Sequence, residues 1–265
     1  MIQGIAKCDW STLMAWVLAS CTLLHPARLP AEDVPVRYME GLTHGFLALR
    51  TLEGKTLADG DLMQVAHGGR VTSHVIFRFK DGSIHDETTI FSQDRTFRLL
   101  SDHLIQKGPS FEHPIDAFID ASTGNVTVRT TDHDGKEKVD TEHIDLPSDV
   151  ANGLIFLLVK NIGSAEAKVA MVATTPKARL VKLAITRQGA DWFSVGSSPR
   201  KATHYVVKIE IGGAAGVVAP ILGKQPPDIH VWILGGEAPV FVKSEGPLFY
   251  GGPIWRIELV SPVWH

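Results

Sequence analysis

Cysteine is nearly missing from this chain of 265 residues, and the only two, Cys8 and Cys21, lie within the first 21 positions. Removal of this region, or acylation of Cys21 at a new N-terminus, would leave no disulfide, no cysteine-based metal site and no thiol nucleophile. The folded protein must therefore be stabilised by its core.

An excess of charge of either sign is also absent. The formal net charge is -3 and the pI is about 6.4. Proteins that bind nucleic acid generally are usually basic, so the charge argues against a nucleic-acid partner. Hydrophobic residues make up 44% of the chain and charged residues 21%, which is typical of a globular protein and excludes a wholly disordered one.

The longest apolar run, at positions 13–24, is too short to span a membrane as a helix. A hydrocarbon core of about 30 Å needs about 20 residues. A short apolar run behind Lys7 is typical of a secretory signal. The sequence thus predicts a signal peptide or N-terminal hydrophobic segment over residues 1–31, and an exported, periplasmic or envelope-associated protein.

Two cleavage positions fit this segment. Leu18-Ala19-Ser20-Cys21 matches a bacterial lipobox, which would make Cys21 a lipid attachment site and anchor the protein in a membrane. Cleavage after Ala31 is the other. An uncleaved helix that packs on the domain or lies on a membrane is the remaining alternative.

Residues 32–265 are expected to form one antiparallel β domain, because short runs alternate apolar and polar residues between turn signals. Asp81-Gly82 and Asp134-Gly135 predict hairpin turns, and 190–201 reads as a polar loop. Strands are predicted over 71–79, 83–92, 96–105, 115–120, 126–131, 139–144, 168–174, 179–186, 204–211, 229–234, 240–244 and 254–260.

One helix interrupts the strands. Ser148 is a suitable N-cap, and an apolar stripe from Val150 to Leu158 precedes Asn161. The expected fold is mainly β: a single large curved antiparallel sheet, or an open β-barrel (half-barrel), wrapped around this helix. A short extra helix or lid is expected near 213–223.

Catalytic and metal-binding motifs are weak. His85-Asp86-Glu87 and Asp132-His133-Asp134 are the densest groups of metal-ligand residue types, but both fit solvated strand ends or turns better than metal sites. On a strand, His85 and Glu87 would share one face and Asp86 the other, beside Ile84 and Ile90. No zincin, nucleophile-elbow, phosphate-loop or dinucleotide motif is complete, so no metal, cofactor or catalytic residue is predicted.

Aromatic and basic residues mark candidate binding surfaces. Phe77 and Phe79 alternate along one strand, and Trp232 and Phe241 belong to a C-terminal aromatic group, so these four are predicted to contact an apolar ligand. Lys177, Arg179, Lys182 and Arg187 form a basic stretch that suits a solvated sheet face or an anionic headgroup at a barrel rim.

The chain resembles bacterial envelope proteins of unknown function whose fold is similar to the lipoprotein-carrier (Lol-type) half-barrels. The resemblance rests on residues 144–149 leading into the helix, on the strand His230-Val231-Trp232-Ile233-Leu234 with the turn Gly235-Gly236-Glu237-Ala238, and on Ile257-Glu258-Leu259. It implies a cavity for acyl chains or a scaffold role, and no catalytic residues.

Three functions are compatible with these patterns. The first is non-enzymatic binding of a lipid or other amphipathic ligand in the cleft of the curved sheet. The alternative is an interaction or scaffold subunit of an envelope complex, with a filled barrel and a protein partner. The third is a hydrolase or isomerase that uses Asp86, Glu87 or His85, for which those side chains would have to converge in a concave pocket.

Overall fold

The structure, a computed structural model, describes residues 33–131, 135–195, 198–210 and 225–260. These residues contain fourteen strands and one helix. The helix, α1, spans Ile155–Asn161. The strands are β1 Thr43–Thr51, β2 Thr56–His67, β3 Arg70–Phe79, β4 Ile84–Gln93, β5 Phe97–Lys107, β6 Ile115–Asp120, β7 Asn125–Thr131, β8 Glu137–His143, β9 Glu166–Ala173, β10 Arg179–Val195, β11 Ser198–Glu210, β12 Ile229–Leu234, β13 Val240–Pro247 and β14 Ile254–Val260.

All fourteen strands form one antiparallel sheet in the order β8-β7-β6-β5-β4-β3-β2-β1-β14-β13-β12-β11-β10-β9. Strands that follow one another in the sequence are neighbours in the sheet, except β8 and β9, which form its two edges. The first and last strands, β1 and β14, pair with each other in the middle. Residues that are far apart in strand order meet on one face of the sheet, which shows that the sheet is curved. Val126 of β7 and Ile185 of β10, for example, belong to the same buried cluster. The mainly β, open-barrel fold predicted from the sequence is confirmed.

The two edge strands are protected in different ways. β8 carries mostly charged, exposed side chains, which discourages pairing with another chain. Residues 149–152 lie along β9, where the Ala151 N–H donates to the Ala170 carbonyl at 2.9 Å. The Asn152 side-chain amide donates to the Val172 carbonyl and accepts the Val172 N–H. The sheet therefore ends at both sides without joining into a closed barrel.

The helix starts later than the sequence predicts. Gly153 has φ +65°, a left-handed conformation that cannot continue a right-handed helix, so α1 begins only after it. Leu154 occupies the N-cap position and makes no side-chain cap bond. Ser148, predicted as the cap, instead donates its hydroxyl to Asp33 at 3.0 Å.

The inner face of the sheet holds two apolar clusters. The helix-side cluster combines α1 with inward residues of β3–β7 and β9–β12. The aromatic cluster lies toward the other end of β1–β3, where Phe79, Phe111, Phe249 and Trp255 form a ring of contacts with centroids 5.3–5.8 Å apart. These two clusters leave a central band of the inner wall between them.

Several predicted boundaries are correct and three predictions are wrong. β6, β12 and β14 have the predicted limits. β1 and β2 are not expected from the sequence, the predicted loop at 190–201 contains the paired ends of β10 and β11, and the helix is shorter than expected. The helix or lid expected near 213–223, the turn residue Asp134 and the N-terminal segment with Cys21 lie outside the described residues.

Within the described ranges, no helix has the length and apolar character needed to cross a bilayer.

Candidate functional site

A row of polar side chains crosses the inner wall between the two apolar clusters. Gln64, Ser73, Thr89 and Asp102 are paired residue by residue across β2, β3, β4 and β5. All four are less than 9% exposed. Buried polar groups on an otherwise apolar face cost free energy unless they are bonded or have a role. We call these four residues, with His85, Glu87 and Gln106 beside them, the polar row.

Thr89 and Asp102 form the bonded centre of the polar row. The Thr89 hydroxyl donates to Asp102 Oδ1 at 2.8 Å. Gly153, just before α1, lies so close that a Cβ there would collide with the Thr89 hydroxyl. Gly153 is itself exposed. The backbone of this residue thus forms a solvent-accessible rim directly over the Thr89–Asp102 pair.

His85 is held neutral on the inner wall. The Gln106 side-chain N–H donates to His85 Nδ1 at 2.9 Å and also contacts the Leu248 carbonyl at 3.0 Å. An Nδ1 that accepts a hydrogen bond leaves the ring proton on Nε2. Burial lowers the pKa of His85 to about 4, against the smaller opposing effect of Asp86.

Glu87 faces the same interior, and no hydrogen bond joins its side chain to any other side chain in the described ranges. His85 Nε2 lies 4.0 Å from Glu87 Oε2, which is too long for a hydrogen bond. Among the described residues, no lysine or arginine lies within 4.0 Å of Glu87 or Asp102. A quarter of the Glu87 side chain stays accessible to water. Its inward neighbours Val75 and Leu104 are likewise only half-buried.

The environment separates the protonation states of the two carboxyl groups. Burial, reinforced by the charge of Asp102, raises the pKa of Glu87 to about 8. Burial also raises the pKa of Asp102, to about 6, against the opposing effects of the Thr89 hydrogen bond and of His103. The two groups titrate as an interacting pair, so near pH 7 the pair holds about one proton, and the larger upward shift of the Glu87 pKa favours Glu87 as its carrier.

The predicted cluster His85-Asp86-Glu87 is divided between two faces. His85 and Glu87 point inward, whereas Asp86 lies on the outer face and bonds His74 Nε2 at 2.9 Å. The prediction that these residues alternate is correct, but the face with Ile84 and Ile90 is the outer one. Asp86 therefore cannot act with His85 and Glu87 in one pocket. Among the described residues, no group of three or more His, Cys, Asp or Glu side chains could hold a metal ion.

The four aromatic residues predicted to contact a ligand are distributed over three places. Phe77 is fully buried on the inner wall beside His85, with ring centroids 5.9 Å apart, and Phe79 belongs to the aromatic cluster. Phe241 contacts Phe156 of α1 at 4.7 Å and packs against both apolar clusters. Contact of these three residues with a ligand stays a prediction.

Trp232 lies on the opposite, outer face of the sheet. Its neighbours Val231 and Ile233 point into the helix-side cluster, while Trp232 packs with Ala202 and Val242. The ring stacks on His204 at 4.4 Å, and Lys243 Nζ lies 4.0 Å from its centroid. Trp232 therefore does not share a site with Phe77.

Asp102, Thr89 and Gln106 are site residues that the sequence interpretation missed. A bulge explains the omission: Thr89 pairs with Asp102 and Ile90 with Ser101, but Phe91 pairs with Leu99, so Leu100 is the extra residue. Regular alternation from Leu99 would have placed Asp102 on the outer face. The Asp81-Gly82 turn is the sequence feature that indicates the inward face of β4. A hairpin with this turn pairs His85 with the apolar Phe77, so both side chains lie on the same face.

In the described part of the chain, two pockets lie away from the polar row. One, of about 250 Å³, is bounded by Arg98, Ala121 and residues 146–148. The other, of about 160 Å³, lies beside the end of α1 and includes Arg37 and Lys160.

Comparisons with known proteins give one distant similarity of form. No family model matches the sequence, and no curated protein matches it. Among solved structures, the chain is similar to a Brucella abortus protein described as a beta-barrel-like protein of the domain of unknown function DUF1849. The identity is 11%, the alignment covers 89% of this chain and 100% of that one, and the TM-score is 0.44. A similarity this distant transfers neither a ligand nor a residue role.

Proposed function

We propose that the protein binds an amphipathic molecule on the inner wall of its curved sheet, with the polar group of that molecule at Glu87 and Asp102. One observation carries the proposal: two carboxyl groups face the interior between two apolar clusters, and within the described residues neither lies within 4.0 Å of a lysine or arginine. Such groups are costly to bury and gather at functional sites more often than in inert cores.

The surroundings favour a ligand with an apolar chain. Leu62, Val75 and Leu104 flank Glu87 along the strand register and keep part of their surface accessible. Covering such apolar surface contributes about 25 cal/mol per Å². The backbone of α1 lies nearest β12 and β13, on the other side of the interior from β4.

The charge state of the polar row favours a neutral or cationic head on that chain. Protonated Glu87 can donate to a hydroxyl or amine, and ionised Asp102 attracts an ammonium group. A carboxylate head would be repelled by Asp102. An alkylamine is therefore expected to bind better than a fatty acid of equal chain length.

This preference predicts the outcome of a titration series. The delipidated protein is titrated calorimetrically with an alkylamine, an alkyl alcohol and a fatty acid of one chain length. Asp102→Asn should reduce the affinity for the amine by about tenfold or more, because a hydrogen bond to a charged group contributes about 1.5–3 kcal/mol, while the alcohol is affected less.

Asp59→Asn, on the exposed outer side of β2, is the matched control and should change neither affinity. Equal affinities for amine and fatty acid, or binding insensitive to Asp102→Asn, would reject a polar group at this position. If none of the three ligands binds, the result would instead favour the alternative predicted from the sequence, an interaction or scaffold subunit of an envelope complex.

A second candidate, acid–base catalysis by Glu87 and Asp102, is favoured by the separation of their pKa values. A neutral carboxyl and an ionised one in the same interior can donate and accept a proton at one pH. Compared with the sequence-based version, Asp102 replaces Asp86. Conversion of a bound ligand, detected by mass spectrometry and lost in Glu87→Gln, would distinguish this candidate from simple binding.

The cellular location is part of the same proposal. Export rests on the sequence of residues 1–31, so the intact mass of the mature protein from its native cells should lack this segment. Loss of residues 1–20 with an acyl group on Cys21 would establish a lipid anchor, and loss of residues 1–31 a free exported protein. The mass of the complete chain would contradict export.

A further inference from the structure

A second, independent site lies at the C-terminal end of α1, in the pocket of about 160 Å³. Its lining includes the basic residues Arg37 and Lys160, the hydroxyl-bearing residues Tyr38, Thr203 and Tyr205, and the Gly235-Gly236 segment after β12. Two basic residues and three residues that carry hydroxyl groups thus surround one small space. No residue of the polar row lines it.

Buried interactions fix the chain around this pocket. Asn161 is fully buried, and its Oδ1 accepts the backbone N–H groups of Arg37 and Tyr38, both at 2.9 Å. The Arg37 guanidinium lies against Gly163, where any side chain would collide with it. Lys160 is held by an ion pair with the buried Glu40. The two cations are therefore positioned before any ligand arrives.

The pocket carries an excess of positive charge. Arg187, adjacent to it, pairs with Tyr205 across β10 and β11. Of these three cations only Lys160 has a carboxylate within 4.0 Å among the described residues. Arg37 and Arg187 leave about two positive charges without a nearby anion. Tyr38, Thr203 and Tyr205 also line the pocket and carry neutral hydroxyl groups.

We propose that this pocket binds a phosphate group. Arg37 would engage two of its oxygens, Lys160 and Arg187 would supply further positive charge, and the hydroxyl groups would bond the remaining oxygens. Guanidinium groups suit this geometry because their N–H donors match phosphate oxygens in pairs. A tetrahedral anion also uses donors from several directions, which a flat carboxylate cannot do as fully.

The group can come from a soluble phosphate ester or from a lipid headgroup, so the test has three ligands. Inorganic phosphate and glycerol phosphate are titrated at constant ionic strength, with the Gly235 and Gly236 amide resonances as the readout. Vesicles of neutral lipid with and without phosphatidic acid form the third arm. A stronger response to phosphatidic acid than to the soluble ligands identifies a headgroup site, and the reverse identifies a soluble ester.

Arg37→Gln should weaken phosphate binding by about tenfold or more, because it removes the paired donors. Arg129→Gln, on the exposed side of β7, is the matched control and should leave binding unchanged. Tyr38→Phe removes only a hydroxyl from a residue that is 36% exposed, so it keeps the test valid if Arg37→Gln fails to fold. Phosphate binding that is undetectable, or equal in the wild type, Arg37→Gln and Tyr38→Phe, would overturn the proposal.

Discussion

Glu87→Gln is expected to make the protein more stable than the wild type at pH 8 and to leave it nearly unchanged at pH 5. Burial raises the pKa of Glu87 from 4.5 to about 8 in the folded protein. Between these values the unfolded chain has lost a proton that the folded protein retains. Rising pH therefore destabilises the wild type by up to about 1.4 kcal/mol per pH unit. Glutamine, which does not ionise, removes this dependence.

The window from pH 6.5 to 8 isolates this group. The pKa of His85 is lowered from 6.5 to about 4, so its effect is a loss of stability as pH falls below 6.5. The raised pKa of Asp102 is about 6, so its contribution is largely lost before the window opens. Urea unfolding at pH 6.5, 7.25 and 8 should thus show a falling free energy of unfolding for the wild type and a flatter one for Glu87→Gln.

Glu112→Gln, at an exposed position, is the control and should follow the wild type. Parallel curves for the wild type and Glu87→Gln across the window would mean that Glu87 is ionised and solvated, contrary to the inner-wall placement.

Gly60→Ala is expected to be strongly destabilising. Gly60 of β2 lies opposite Phe77, and an added Cβ would lie 2.5 Å from two ring carbons of that residue and 3.1 Å from Leu47 Cβ. Phe77 is 1% exposed, so its ring has no space to move into. Overpacking of a dense core costs about 1–3 kcal/mol, which thermal or urea unfolding can measure.

Gly45→Ala provides the comparison on the neighbouring strand. Gly45 of β1 faces the same interior, but the nearest atom to its added Cβ is Leu259 Cδ1 at 3.4 Å. A change within about 1 kcal/mol is expected, because alanine also loses less backbone entropy on folding. Equal destabilisation by both substitutions would show that the inner wall near Phe77 is packed differently.

Strand positions were predictable where turn chemistry and alternation agree. The Asp81-Gly82 turn, in which Gly82 has φ +85°, and the alternation of β3 together predict the β3–β4 hairpin. β2 was missed because Asp59-Gly60-Asp61 reads as a turn, although Gly60 is there to accommodate Phe77. Glycine is required at position 60 by a contact with the neighbouring strand, and this contact cannot be recognised from the residues around position 60 in the sequence.

The site was only partly predictable for a similar reason. His85 and Glu87 were identified as sharing a face, but Ile84 and Ile90 made the opposite face look like the core. Asp102 joins them through the bulge at Leu100, which reverses the alternation of β5. The start of α1 depends on Gly153, whose backbone approaches Thr89. Bulges and close backbone approaches depend on how strands pair and pack in the folded protein. They could therefore not be predicted from local sequence patterns.

The protonation of Glu87 decides whether the inner wall offers a buried carboxyl group to an amine ligand. The ¹³C resonance of its side-chain carboxyl, assigned by its loss in Glu87→Gln, can be followed from pH 4 to pH 9 with and without a long-chain alkylamine. We expect a midpoint near 8 in the free protein and a lower midpoint in the complex, because a bound ammonium group favours the ionised form of Glu87. A midpoint near 4.5 that the amine leaves unchanged would contradict this expectation.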